Sequence, residues 1–180
     1  RKGSLVNVKN AVYISIDQGI GGSLIINKKL FGGDFGYSGE FGLIKVNDGD
    51  KFDCLDEFAS LRVLCAYASE LYNTNIGRTR LIQLFYEDEK IHQKVLRSAQ
   101  ILGIALKNII EILDINTVIL GGKIVGFGDE YLNAVKSSIN NLISNVNVSF
   151  ALVNAENKII GSTGLGVEYL IEQEINKEIR

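Results

Sequence analysis

Residues 11–26 read AVYISIDQGIGGSLII, and the architecture of the sheet can be read from them. Ala11–Asp17 alternates and is rich in β-branched side chains, the pattern of a strand with one buried face. Gly19, Gly21 and Gly22 interrupt it before a second apolar run, Ser23–Ile26, so the two halves read as a hairpin around an unusually glycine-rich turn. Asn27-Lys28-Lys29 turns the chain again, Leu30-Phe31 reads as a third short strand, and Phe41–Val46 as another.

Beyond the hairpins the period changes from two to that of helices. Asp53 is placed to cap a helix whose apolar positions, Leu55, Phe58, Ala59, Val63, Ala66, Tyr67 and Leu71, recur at steps of mostly three or four. A second helical region starts near Thr79. A long one starts near Asp88, with Ile91, Val95, Ala99, Leu102, Leu106, Ile109 and Leu113 on one stripe. It leads into the apolar strand Thr117–Leu120, closed by Gly121-Gly122. Asp129 to about Asn145 is helical again, Val148–Val153 is a strand, and Gly161–Arg180 is an amphipathic helix with a solvated acidic face. Strands alternating with helices in the second half predict an α/β fold, a mixed sheet covered by helices. No linker or internal repeat is visible, so residues 1–180 read as a single domain.

Hydrophobic residues make up 46% and charged residues 22% of the chain, the balance of an ordinary globular protein. The net charge is −2, with Lys and Arg scattered among acids, so these 180 residues carry no nucleic-acid footprint. The longest apolar runs fall far short of the ~20 residues that span a bilayer, which argues against a membrane protein. Cys54 and Cys65 are too few for a disulfide scaffold and are not spaced as a metal knuckle, so both read as reduced thiols of a cytoplasmic protein. The chain starts at Arg1 and contains no Met, which reads as a fragment of a longer product.

Three segments have the residue types for ligand chemistry. In Asp17-Gln18-Gly19-Ile20-Gly21-Gly22, glycines at a turn let backbone N–H groups approach a phosphate, although a plain glycine hairpin has the same composition. Gly121-Gly122 follows a buried strand, where α/β sheets bind ligands, and would equally serve a tight strand-to-helix turn. Gly39-Glu40-Phe41-Gly42 sets a carboxylate between two permissive backbone positions, against the alternative of a solvated loop acid. His92, beside Glu89 and Lys90, reads as solvated. Phe58, Tyr67 and Tyr72, at helical spacing, read as core or interface.

Taken in order, these segments resemble the ROK family of sugar kinases and sugar-responsive repressors, from Ala11 to about Leu170. A G-T-G-I-G-G-G-like phosphate loop is similar to Asp17–Ser23, and G-E-I-G-H to Gly39-Glu40-Phe41-Gly42-Leu43. The tail of a C-x-C-G-x-x-G-C-L-E-x-x-A-S segment is similar to Cys54–Ser60, and V-I-G-G-G to Val118–Gly122. The resemblance implies an actin-like, ribonuclease-H-like fold. It implies that Glu40, with Gly39 beside it, and Asp56 bind sugar. It also assigns Asp17, Gly19, Gly21, Gly22, Gly121 and Gly122 to a phosphate and nucleotide site, whose departures from the family pattern point to a vestige.

Those departures shape the expected function. The family's His and three Cys hold a structural zinc; with Leu43 in place of the His and Cys54 as the remaining thiol, the zinc is expected to be lost. The same His also reaches a sugar hydroxyl, so Leu43 alters the pocket. The family's catalytic base lies in an N-D motif ahead of the first strand, and residues 1–10 contain no Asp. No catalytic residue is therefore assigned within this chain. The expected function is the sugar-sensing domain of a ROK-like repressor. It would act as a homodimer, with no cofactor, and reach DNA through an N-terminal segment outside this chain. The alternative is the larger lobe of an ATP- and Mg²⁺-dependent sugar kinase.

Overall fold

The computed structural model describes residues 8–140 and 145–151; the chain divides into the unit Lys9–Phe150 and a second unit of Arg1–Val8 with Ala151–Arg180. The described elements all fall in the first. Strand β1, Ala11–Ile16, buries Ala11, Val12, Ile14 and Ile16 completely, as its β-branched alternation predicts. It pairs antiparallel with β2, Ile20–Ile26, which pairs antiparallel with the edge strand β3, Lys29–Phe31. Asn27 and Lys28 take positive φ of 52° and 66° in the two-residue turn between them.

On its other side β1 lies parallel to β6, Thr117–Gly122, and β6 lies parallel to β7, Asn147–Phe150. The described sheet thus has the order β3-β2-β1-β6-β7, and it is mixed. A separate hairpin pairs β4, Lys45–Asn47, with β5, Phe52–Cys54. The carboxyl ends of β1 and β6 lie side by side, with Ser15 opposite Gly121 and Ile16 opposite Gly122. Two glycine segments separated by about a hundred residues of chain therefore meet at one edge.

Helix α4, Glu89–Leu113, buries the expected stripe from Ile91 to Ile109, while Leu113 at its end is 37% exposed. Asp88 caps it, accepting the Ile91 N–H at 3.0 Å. It packs on α5, Gly128–Asn140, most closely at Gly103, where a Cβ would lie 2.6 Å from the Val135 carbonyl oxygen. Helix α3, Arg78–Glu87, precedes it as expected.

Several expectations change. Phe41–Val46 is not one strand: Phe41–Leu43 form a 3-10 turn, and the strand is Lys45–Asn47. Asp53 caps no helix. It lies in β5 and pairs with Lys51 at 3.0 Å, which holds its carboxyl below the usual range. The helix itself breaks into α1, Asp56–Ala59, and α2, Leu61–Tyr72, because Ser60 is extended and its hydroxyl donates to the Asp56 carbonyl at 2.7 Å while accepting from the Val63 N–H. His92 is not solvated. Its ring stacks on Phe85 at 4.7 Å, Nδ1 lies 3.0 Å from the Phe85 carbonyl, and Nε2 lies 3.0 Å from Glu130, so it joins α3, α4 and α5. The aromatic trio divides: Phe58 is core, Tyr67 is partly buried, and Tyr72 is exposed but donates to Asp88 at 2.7 Å.

Residues 152–180, including the end of the predicted strand Val148–Val153 and the final amphipathic helix, lie outside the described residues. Among the described residues, no helix is long and apolar enough to cross a membrane.

Candidate functional site

The glycine turn after β1 is held by a residue 36 positions away in the chain: Asp56 Oδ1 accepts the Ile20 N–H at 2.6 Å. Ile20 is 5% exposed, so this donor has left water and needs a partner. The other carboxylate oxygen lies 3.5 Å from where a Gly19 Cβ would stand. On the opposite side a Cβ on Gly42 would come within 2.6 Å of Oδ1, so any larger residue there would displace the carboxylate. Asp56 is therefore enclosed by the Asp17–Gly22 and Gly39–Gly42 segments, which are separate in the sequence. Its position at the start of α1 follows β5 directly, and the Leu55 N–H donates to the Ile44 carbonyl at 2.8 Å to fix that junction.

A second closure binds the same segments. Gly39 has φ +99°, and a Cβ there would collide with the Gly22 carbonyl. Such a close approach of two backbones is open to glycine alone. The Phe41 ring covers Gly22 from its other side, 2.8 Å from where a Cβ would be. The chain from Gly39 to Gly42 is thus seated on the glycine turn, with Glu40 between the two contacts. Glu40 itself is exposed, and its side chain neither caps the 3-10 turn nor bonds to any described residue. It is an exposed carboxylate whose backbone is fixed on both sides.

Asp17 follows β1, whose last residue Ile16 pairs with Gly122, and the Asp17 carbonyl accepts the Leu61 N–H at the start of α2, at 2.8 Å. Gly121 packs under the Tyr13 hydroxyl. The structure thus brings Gly19, Gly22, Gly39, Glu40 and Asp56 together, and sets Asp17, Gly121 and Gly122 along the same sheet edge. Gly21 belongs to β2, paired with Ser15. Sequence reasoning does not single out Tyr13, Phe41, Ser38 or the Ile20 amide. Ser38 has a buried Oγ with no partner among the described residues, and no local pattern marks it.

The donor set does not fit a four-ligand zinc. Leu43 is 61% exposed, and Cys54 Sγ accepts from Lys45 Nζ at 3.1 Å, which raises Lys45 above the usual lysine range. Among the described residues no three His, Cys, Asp or Glu side chains converge as metal ligands.

The family model described as ROK family matches residues 2–174. The chain belongs to the ROK family. Over 153 residues it is 29% identical to the xylose repressor of Caldicellulosiruptor bescii, covering 74% of this chain and 38% of that protein. Over 165 residues it is 27% identical to the N-acetylmannosamine kinase of Vibrio vulnificus, covering 87% of this chain and 56% of that one. The ROK hexokinase of Thermus thermophilus superposes with a TM-score of 0.76 at 24% identity, over 86% of this chain and 55% of the hexokinase. The fold is accordingly the actin-like α/β fold that the sequence resemblance implied. The chain spans little more than a third to somewhat over half the length of these ROK relatives.

Proposed function

We propose that this chain is the sugar-sensing, effector-binding domain of a ROK family transcriptional repressor. Glu40 is its principal sugar ligand, a carboxylate able to accept from two adjacent hydroxyls through charge-assisted hydrogen bonds. Gly39 allows the backbone to present it, and Asp56 supports the site from behind, its outer oxygen meeting the sugar through water.

One observation carries this reading over the kinase. A phosphate loop works by leaving backbone N–H groups open to an anion. Here the Ile20 N–H is taken by the chain's own Asp56 carboxylate at 2.6 Å. Asp17 adds a second acid at the same edge, where phosphoryl charge would need donors and cations. The glycine segments then serve as a rigid seat for Glu40, and ATP and Mg²⁺ are not required. The likeness to the xylose repressor supports the same reading. DNA binding belongs to a segment outside this chain, and a cytoplasmic homodimer is the form in which sugar would alter it.

The second reading is the larger lobe of an ATP-dependent ROK sugar kinase, supported by the likeness to the N-acetylmannosamine kinase. Gly19, Gly21, Gly22, Gly121 and Gly122 would then line the phosphate side, with Mg²⁺ supplying charge neutralisation. Two assays on the full-length protein separate the readings: retention of its own promoter DNA with and without sugars, and coupled ATP turnover on the same sugars. Sugar-dependent release of DNA without turnover is expected. Sugar-dependent ATP turnover without DNA binding would overturn the repressor in favour of the kinase.

A further inference from the structure

We infer that Arg97 is a positioning residue for the sugar site: from α4 it holds Asp48 at the tip of the β4–β5 hairpin, and the hairpin fixes the segments that carry Glu40 and Asp56. The inference rests on the sugar-binding reading above and adds to it a residue that lies outside the pocket.

Strands β4 and β5 have three residues each and form a sheet of their own. A two-stranded hairpin of that length is marginal in water and takes its order from what it packs on. Its contacts between Lys51 and Asp53, at 3.0 Å, and between Lys45 and Cys54, at 3.1 Å, stay within the hairpin. From Lys45 to Cys54 only Val46 is buried, and Phe52 is 69% exposed. Among the described residues the ties from hairpin to body are therefore few. Lys51 Nζ lies 5.4 Å from the centre of the Phe58 ring on α1. At the tip, Asp48 Oδ1 accepts from Arg97 Nε at 2.8 Å and also from Arg97 Nη2, across 49 residues of chain. Both partners are held ready for this contact. The Asp48 N–H donates to the Lys51 carbonyl at 3.0 Å, and Arg97 Nη1 donates to Gln100 on its own helix at 3.2 Å. A preorganised pair loses less side-chain entropy than two free side chains would.

The hairpin is also the connection between the two site carboxylates, with Asp48 eight residues after Glu40 and eight before Asp56. On one side the Leu43 N–H donates to the Glu40 carbonyl and the Ile44 N–H to the Phe41 carbonyl, each at 3.2 Å, so the Glu40 turn runs directly into β4. On the other side β5 runs into Leu55, whose N–H closes on the Ile44 carbonyl, and then into Asp56, which takes the Ile20 N–H. Helix α1 packs on α4, so the helix that carries Arg97 is the common bed of the hairpin and of Asp56. With its tip released, a segment with so few buried contacts can open locally while the core stays closed. Such opening loosens the grip of Asp56 on the glycine turn and the placement of Glu40.

Hydrogen exchange and calorimetry on the full-length protein test the inference. The variants are Arg97→Ala, Asp48→Ala, the two combined, and Arg80→Ala, which removes another exposed ion pair, to Glu87 on α3. Arg97→Ala should speed exchange of the amides from Lys45 to Asp56 and of Ile20, and leave those of α4 and α5 as in the wild type. Xylose, glucose and N-acetylmannosamine serve as probes, and affinity for whichever the wild type binds should fall about three- to fivefold, the upper range for a partly exposed ion pair. The combined variant should bind no more weakly than either single one, because all three lose the same contact. Arg80→Ala should match the wild type. Hairpin and Ile20 exchange at the wild-type rate would overturn the inference, as would equal acceleration throughout α4 and α5, which would make Arg97 a general stabiliser. Additive losses in the combined variant, or faster exchange with unchanged sugar affinity, would also overturn it. A wild type that binds none of the three sugars would count against the sugar-binding reading, and exchange at Ile20 and Asp56 would then decide by itself whether Arg97 holds the hairpin.

Discussion

Replacing Asp56 with Ala should destabilise the protein, and the contact with Ile20 sets the size of the effect. The carboxylate accepts the Ile20 N–H at 2.6 Å, and Ile20 is 5% exposed. Truncation leaves a buried donor without a partner. Hydrogen bonds to charged groups contribute about 1.5–3 kcal/mol, and a stranded buried donor costs a comparable amount. For a chain of this size each kcal/mol moves the melting temperature by roughly 2–4 °C, so the variant should melt roughly 3–12 °C lower. Asp56→Asn keeps an acceptor oxygen at the same place and gives up only its charge, so its loss should be less than about 1.5 kcal/mol. Urea denaturation of both variants beside Asp34→Ala, an exposed acid in the neighbouring loop, isolates the contact. An Asp56→Ala midpoint matching that of Asp34→Ala would refute the claim that Asp56 holds the glycine turn.

Other consequences follow from particular contacts. Gly39→Ala sets a Cβ against the Gly22 carbonyl at φ +99°, and should cost about 2 kcal/mol or more and weaken sugar binding through displacement of Glu40, measured by melts and calorimetry together. The Tyr72 hydroxyl, and after it the Ile91 N–H, hold Asp88 below the usual carboxylate range. A depressed folded pKa gives stability that is fully present above the unfolded value near 4 and is lost as pH falls through the lower folded value. Asp88→Asn should therefore flatten the fall in urea midpoint at acid pH, and an unchanged acid limb would count against the contact. Protein purified without chelator should contain no stoichiometric zinc, since Cys54 faces Lys45 and Leu43 supplies no ligand; one zinc per chain by elemental analysis would contradict this.

The legible parts of the fold are those governed by local periodicity. The β1–β2 hairpin and the Ile91–Ile109 stripe follow from alternation and helical spacing. The break at Ser60 is hidden, because apolar spacing runs on unchanged from Leu55 to Leu71 while the hydroxyl of Ser60 redirects the backbone. His92 is illegible for a related reason: its partners Phe85 and Glu130 lie on other helices, and no pattern around residue 92 signals them. In the site, glycine spacing marks the turn and the Glu40 segment. The bond that joins them spans 36 residues and depends on how α1 packs, so Asp56 reads from sequence as a second sugar carboxylate or as an acid favourably placed in the first turn of a helix.

The decisive measurement for the proposed sugar site is the affinity of Glu40→Gln. Glu40 is exposed, unpartnered by any described residue, and set between the Gly39 and Gly42 contacts, so the substitution should leave stability nearly unchanged. Calorimetry on the full-length protein should show binding weakened by roughly 1.5–3 kcal/mol, the scale of a hydrogen bond to a charged group, with a smaller change for Asp56→Asn. Sugar affinity equal to that of the wild type would contradict the assignment of Glu40 as the ligand-binding carboxylate.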